Sequence, residues 1–145
     1  MSANRPSEQV VLQTIRNRVI DDLELAASYD KQRQYQDAVR FVNVVTEMVC
    51  MWANDHVPEG WRKWLLPPVF TPEEIEAVAR FDKVLNAVAD AFQGQMPSLA
   101  EVIGTEPWER LRLAAEESLK VLQARGRLSE EVEGEPYAAP DGGGA

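Results

Sequence analysis

Residues 71–92 read T-P-E-E-I-E-A-V-A-R-F-D-K-V-L-N-A-V-A-D-A-F, and this stretch carries the clearest fold signal in the chain. A threonine, a proline and, at position 74, a glutamate supply the N-cap, N1 and N3 residues of a helix. Apolar side chains then recur every three or four residues, at positions 75, 78, 81, 85, 88 and 92. This period indicates an amphipathic helix, so the stretch predicts one long helix with a single core face.

The same spacing occurs in three other segments, which span about residues 7–29, 35–54 and 105–126. Ser98 and Glu101 repeat the capping-box spacing and predict a short helix over 98–103. No segment shows a convincing alternation of period two, which argues against strands. We therefore predict an all-α protein. Its architecture would be an antiparallel four-helix bundle with a Trp/Pro-rich connection between helices two and three and a short extra helix before the last long one.

The second predicted helix, 35–54, has the broadest apolar face. Its apolar residues recur every three or four positions, at Ala38, Val42, Val45, Val49 and Trp52. Three further large side chains widen this face: Phe41, Met48 and Met51. A face of this width predicts a central helix that contacts several neighbours. Cys50 is then expected to be a small buried residue.

We predict the break between the first two helices around residues 30–34, but no glycine or proline marks it there, so the break needs another argument. Several residues nearby stand at the spacings of a known signature: Leu25, Ala26, Tyr29, Tyr35, Ala38, Val42 and Val45. In this stretch the chain resembles a tetratricopeptide-repeat hairpin, although Arg33 replaces the turn glycine and Cys50 the terminal proline. The resemblance implies a helical hairpin. It does not imply a peptide-binding solenoid, because the motif has no second copy and repeat arrays need about three units.

The charge balance limits the classes of partner. The 145 residues include 15 Lys and Arg against 24 Asp and Glu, a formal net charge of −9. Such a surface repels phosphate backbones and anionic lipid heads, so we expect neither a nucleic-acid nor a membrane partner. The single cysteine cannot form an intramolecular disulfide, and a cytoplasmic location is expected.

The last residues differ in composition from the body of the chain. Residues 130–145 are acidic and rich in Gly and Pro, with too few apolar side chains to offset the entropy of ordering them. We predict a single helical domain over 1–129 and a disordered tail over 130–145.

Motifs for catalysis or metal binding are missing from the sequence. It has no glycine-rich phosphate loop, no nucleophile elbow and no metal-ligand spacing, and its one histidine excludes the Glu-x-x-His pairs of di-iron bundles. We therefore predict no catalytic, metal-binding or cofactor-binding residues, and no cofactor.

The connection over 52–70 holds three of the four tryptophans and the adjacent cations Arg62 and Lys63. One interpretation is that its aromatic side chains plug the open end of the bundle. The other is that Trp61 and Trp64, with Arg62 and Lys63 between them, form an exposed anchor for a protein partner. In that interpretation the acids Asp21, Asp22 and Glu24 contribute an acidic rim.

Three functions remain open at this point. The leading one is a non-catalytic acidic protein-binding module, of inhibitor or immunity type, that captures a basic protein by electrostatic steering. The second is a homo-oligomeric structural protein, in which the exposed part of helix two or the tryptophan connection is buried against a symmetry mate. The third is a small-ligand or cofactor-binding bundle, whose cavity would be lined by Trp52, Met48, Phe81 or Trp108.

Overall fold

A computed structural model describes residues 7–56, 66–92 and 95–133, and within these ranges the chain is helical, with no strands. The helices are α1 (Glu8–Ala26), α2 (Tyr29–Ala38), α3 (Val44–His56), α4 (Pro72–Ala91), α5 (Leu99–Val102) and α6 (Glu106–Gln123). The predicted all-α class is confirmed. None of the helices in the described ranges is long and apolar enough to span a membrane.

The helix starts follow the caps expected from the sequence. The Thr71 hydroxyl accepts the backbone N–H of Glu74, and the Glu74 carboxylate accepts the N–H of Thr71 at 2.9 Å. Ser98 and Glu101 form the same reciprocal pair at the start of α5. These caps satisfy N–H groups that have no partner inside the helix, which explains why α4 and α5 begin where the sequence predicts.

The prediction of one helix over 35–54 is wrong, because the chain leaves the helix after Ala38 and α3 begins only at Val44. The predicted break at 30–34 is wrong as well, since those residues lie inside α2. The first turn instead falls at residues 27–28, where the Ser28 hydroxyl caps α2 by accepting the N–H of Lys31. The helical hairpin implied by the repeat resemblance therefore does not have its turn at Arg33.

The core lies mainly where α4 packs on α6 and where α1 packs on α6 and α3. The largest apolar side chains that it buries completely or almost completely are Ile20, Leu23, Phe70, Phe81, Trp108, Leu111 and Leu122. Two residues expected on the inner face of helix two are outside this core. Phe41 is 90% exposed, and Cys50 is exposed as well.

A buried ion-pair network joins α1, α4 and the end of α6. Arg16, which is fully buried, makes a bidentate pair with Glu74, with Nη1–Oε1 and Nη2–Oε2 distances of 2.8 and 3.0 Å. Arg125 contacts the same carboxylate, with an Nη2–Oε1 distance of 2.8 Å. Since the Thr71 N–H also donates to it, Glu74 accepts hydrogen bonds from three residues while almost entirely out of water.

The remaining N–H groups of Arg16 bind backbone carbonyls. Nη1 donates to Val69, Nη2 to Leu122 and Nε to Gly126, over distances of 2.8–3.1 Å. Leu122 lies in the last turn of α6 and Gly126 just beyond it, and the Leu122 carbonyl also accepts the backbone N–H groups of Arg125 and Gly126. The guanidinium therefore closes the end of α6 and ties it to the turn that precedes α4.

The first residues of the predicted tail lie against α1. Gln13 donates to the carbonyls of Ser129 and Val132, and Asn17 donates to the carbonyl of Leu128 and to the carboxylate of Glu130. The remainder of that segment, 134–145, lies outside the described residues.

Replacing the shared carboxylate tests the network. We expect Glu74→Gln to lower the free energy of unfolding by about 3–5 kcal/mol, because it leaves a buried guanidinium without its counter-charge. The control is Glu76→Gln on the same helix. Glu76 is exposed and lies 3.7 Å from Arg80, so its substitution should change stability by less than about 0.5 kcal/mol. Urea unfolding measures both, and equal effects would contradict the network's role.

The same carboxylate predicts a pH dependence. Burial raises the pKa of Glu74, but hydrogen bonds from Arg125, Arg16 and the Thr71 backbone outweigh it, so the pKa lies below its ordinary value of 4.5. A lowered folded-state pKa stabilises the fold above pH 4.5, and this contribution decreases as the pH falls from 4.5 toward the folded value.

We therefore expect the stability gap between the wild type and Glu74→Gln to narrow as the pH falls below 4.5. Urea titrations at a series of pH values measure it, and the other carboxylates cancel because both proteins carry them. A gap that stays constant into the acid range would contradict this assignment.

Candidate functional site

The described surface has an open groove between α2 and α5, which we call the α2–α5 groove. One part has a volume of about 530 Å³, and an adjoining part of about 450 Å³ shares four of its lining residues. The α2 side contributes mostly polar side chains and the α5 side mostly apolar ones. The residues that line it are Arg33, Gln36, Asp37, Arg40, Phe41, Val42, Asn43, Ser98, Leu99, Ala100 and Ile103.

Phe41 stands at the edge of this groove, in the corner between α2 and α3. Its 90% exposure compares with 37–65% for the other exposed large apolar side chains of the described chain, Val11, Leu66, Leu113 and Val132. Aromatic side chains are prominent among the residues that carry the binding energy of protein interfaces. Phe41 is therefore the strongest anchor candidate that the described surface offers.

The side chain of Gln36 holds the corner that carries Phe41. Its Nε2 donates to the carbonyls of Val39 and Val42, at 3.2 and 2.6 Å, and its Oε1 accepts the N–H of Val44 at 3.1 Å. These bonds link the end of α2 to the start of α3. They satisfy backbone groups that the break in the helix would otherwise leave without partners.

Asn43 holds the corner from its other side. Its Oδ1 accepts the N–H of Val45 at 2.8 Å, which caps α3, and its Nδ2 donates to the carbonyl of Pro97 at 3.0 Å. The corner is thus joined to the segment that leads into α5. Phe41 projects from a backbone that is held on both sides, so little backbone entropy is lost when its ring is buried by a partner.

Three charged side chains line the groove on its α2 side. Arg33 lies 3.7 Å from Asp30, in an exposed i,i+3 pair. Neither Asp37 nor Arg40 forms an ion pair within the described ranges, and both are exposed. The groove therefore offers one carboxylate and one guanidinium with unused hydrogen-bonding capacity beside the exposed aromatic ring.

The acids predicted to form a rim are engaged within the chain. Arg127 contacts both Asp21, at 2.6 Å, and Glu24, at 2.7 Å. Asp22 instead lines a small pocket beside Trp52. The structure thus brings two of the three acids together on an arginine. The other predicted partner-binding residues, Trp61, Arg62, Lys63 and Trp64, lie outside the described residues.

The sequence suggested a ligand-binding cavity lined by Trp52, Met48, Phe81 or Trp108, and the structure has a pocket beside the first three of these. The pocket that these three line has a volume of about 10 Å³, which is close to the space of one water molecule. Trp52 also donates its indole N–H to Asp82 at 2.9 Å, and Trp108 donates to Gln32 at 2.9 Å. These side chains are packed and hydrogen-bonded, which leaves the pocket too small for a cofactor.

A second polar cluster joins Tyr29 to α6. Hydrogen bonds from Arg112 and then from the Tyr29 hydroxyl lower the pKa of Glu109 to about 2. Burial and then the neighbouring Glu109 raise the pKa of Tyr29 above its ordinary value. Both shifts move away from neutral pH, where a general acid or base is effective. The cluster fastens α2 to α6, and Arg112 lies over the Tyr29 ring at 5.5 Å.

No group of three or more His, Cys, Asp or Glu side chains in the described part of the chain is placed to hold a metal ion. Comparison with protein-family models, curated proteins and solved structures gives no match for this chain.

Phe41 and the groove were missed because the sequence pattern assigns Phe41 to a core face. One local signal could have located the corner. Asn43 is a favoured N-cap residue that directly precedes the apolar start of α3.

The exposure of Phe41 can be checked through stability. We expect Phe41→Ala to change the free energy of unfolding by less than about 0.5 kcal/mol, because its ring is already in water. The matched control is Phe81→Ala, which empties a site in the core and should cost about 3–5 kcal/mol. Urea unfolding measures both. A loss of about 2 kcal/mol or more for Phe41→Ala would place the ring in the core after all.

Proposed function

We propose that this chain is a non-catalytic, acidic protein-binding module that docks its partner at the α2–α5 groove. The observation that carries the proposal is the 90% exposure of Phe41 on a corner that Gln36 and Asn43 hold in place. A large aromatic ring that is both exposed and held on a fixed backbone is an effective interface anchor.

The shape of the groove favours a macromolecule over a small ligand. Binding sites for small molecules enclose most of the ligand surface, typically about 70–90% of it. The α2–α5 groove is open along its length, and its most prominent apolar side chain projects outward. An aromatic side chain that projects outward beside an open groove is suited to a protein partner whose own surface has a pocket for the ring.

The net charge of −9 favours a basic partner, as expected of an inhibitor or immunity type of protein. Opposite net charges speed the encounter of two proteins, and this effect weakens as salt is added. In this proposal the longer helices α1, α3, α4 and α6 form an antiparallel four-helix bundle that acts as a rigid support for α2 and the corner.

A capture experiment with matched baits tests the proposal. Purified wild type, Phe41→Ala and Leu113→Ala are immobilised and exposed to lysate of the source organism at low and high salt. Leu113 is a suitable control because it is a partly exposed apolar residue on α6, outside the groove. We expect a stoichiometric partner that the wild type and Leu113→Ala retain and Phe41→Ala loses, and that binds less at high salt.

Two results would contradict the proposal. A partner retained equally by all three baits would place the docking surface elsewhere on the chain. Recovery of no partner by any bait at either salt concentration would remove the case for a protein-binding module.

A further inference from the structure

We propose that, when no other partner is present, a second copy of this chain occupies the α2–α5 groove. In this arrangement each copy inserts Phe41 into the groove of the other, and Arg40 of each copy pairs with Asp37 of the other. The inference rests on the proposed function, because it uses the same groove as a protein-docking surface and names its occupant.

The charges at the groove carry the inference. In a two-fold symmetric interface every contact between two different residues occurs twice. If one residue of the first copy contacts a second residue of the other copy, the same contact forms with the two copies exchanged. Asp37 and Arg40 have opposite charge, line the same groove and have no ion pair within the described residues. A two-fold axis that passes between them brings each arginine to the other copy's aspartate, and two ion pairs result.

The position of Phe41 fits the same axis. The ring follows Arg40 directly in the chain and lines the same groove. In the proposed dimer each ring meets the facing groove. The apolar wall there is formed by Leu99, Ala100 and Ile103.

The size of this contact predicts a weak, reversible dimer. The two phenylalanine rings themselves bury only about 300–500 Å², whereas a stable interface buries roughly 1,200–2,000 Å² in total. Two chains of charge −9 also repel each other at long range. Salt screens that repulsion more than it weakens pairs in contact, so self-association should strengthen as salt rises toward about 0.15 M. The capture of a basic partner has the opposite salt dependence.

Charge reversal in trans provides the test, with sedimentation velocity over a concentration series as the measurement. Asp37→Arg makes the groove pair wholly cationic, and Arg40→Asp makes it wholly anionic. We expect the dissociation constant of each variant alone to rise at least about tenfold over the wild type, because like charges then face each other. Mixed in equal amounts, the two variants should form a heterodimer at least as tight as the wild-type dimer.

A second pair of variants controls for net charge. Asp90→Arg and Arg80→Asp lie on exposed positions of α4, away from the groove, and change the charge by the same amounts. This pair should dimerise alone as the wild type does. Phe41→Ala should abolish the dimer. Circular dichroism verifies that every variant is folded.

Each unfavourable outcome has a distinct meaning. A wild type that stays monomeric at the highest concentration tested, or variants that fail to associate when mixed, would overturn this inference. If capture of a partner still depends on Phe41, the proposed function survives that failure. A dimer that persists in Phe41→Ala would overturn the inference as well, because the interface would then lie elsewhere.

Discussion

The bidentate pair between Arg16 and Glu74 is the constraint on which the arrangement of the long helices depends. A buried charge is very costly unless it is paired and hydrogen-bonded, and this pair meets both conditions through Arg125, the Thr71 N–H and three backbone carbonyls. The pair itself joins α1 to α4, and its partners belong to the turn before α4, to the last turn of α6 and to the residues just after it. Sliding any one of these elements by a helical turn would leave a buried charge or carbonyl without a partner. The network therefore specifies a register that apolar packing alone would not define.

The position of α2 is also set by a buried polar side chain whose hydrogen bonds are satisfied. Gln32 is the one residue of α2 that is completely buried, and its amide is fully used. Its Nε2 donates to the carbonyls of Leu25 and Ala26 at the end of α1, and its Oε1 accepts the indole N–H of Trp108 on α6. This fixes the rotation of α2, so that Gln36 and Asp37 line the groove. The surface that we propose for docking is thus placed by a buried polar side chain.

Much of the fold could be predicted from the sequence, and the exceptions have physical causes. The starts of α4 and α5 were predicted because capping boxes are local signals. The corner between α2 and α3 was missed because the apolar period is still in phase after the break, as the spacing from Ala38 through Val42 to Val45 shows. The corner is stabilised by hydrogen bonds from the side chains of Gln36 and Asn43. Such bonds cannot be predicted from the spacing of apolar residues. The groove needs both the corner and α5, which meet only in the folded chain.

The physical weakness of α2 explains why docking and folding would be linked at this site. A helix of ten residues is marginal on its own in water, and α2 buries too little apolar surface to compensate. It is held by particular bonds: Gln32 to α1 and α6, Tyr29 to Glu109, and Gln36 across the corner. A partner that covers the groove adds contacts to a helix that has only one fully buried side chain. The affinity of the groove therefore depends on how completely those bonds hold α2 in place before a partner binds.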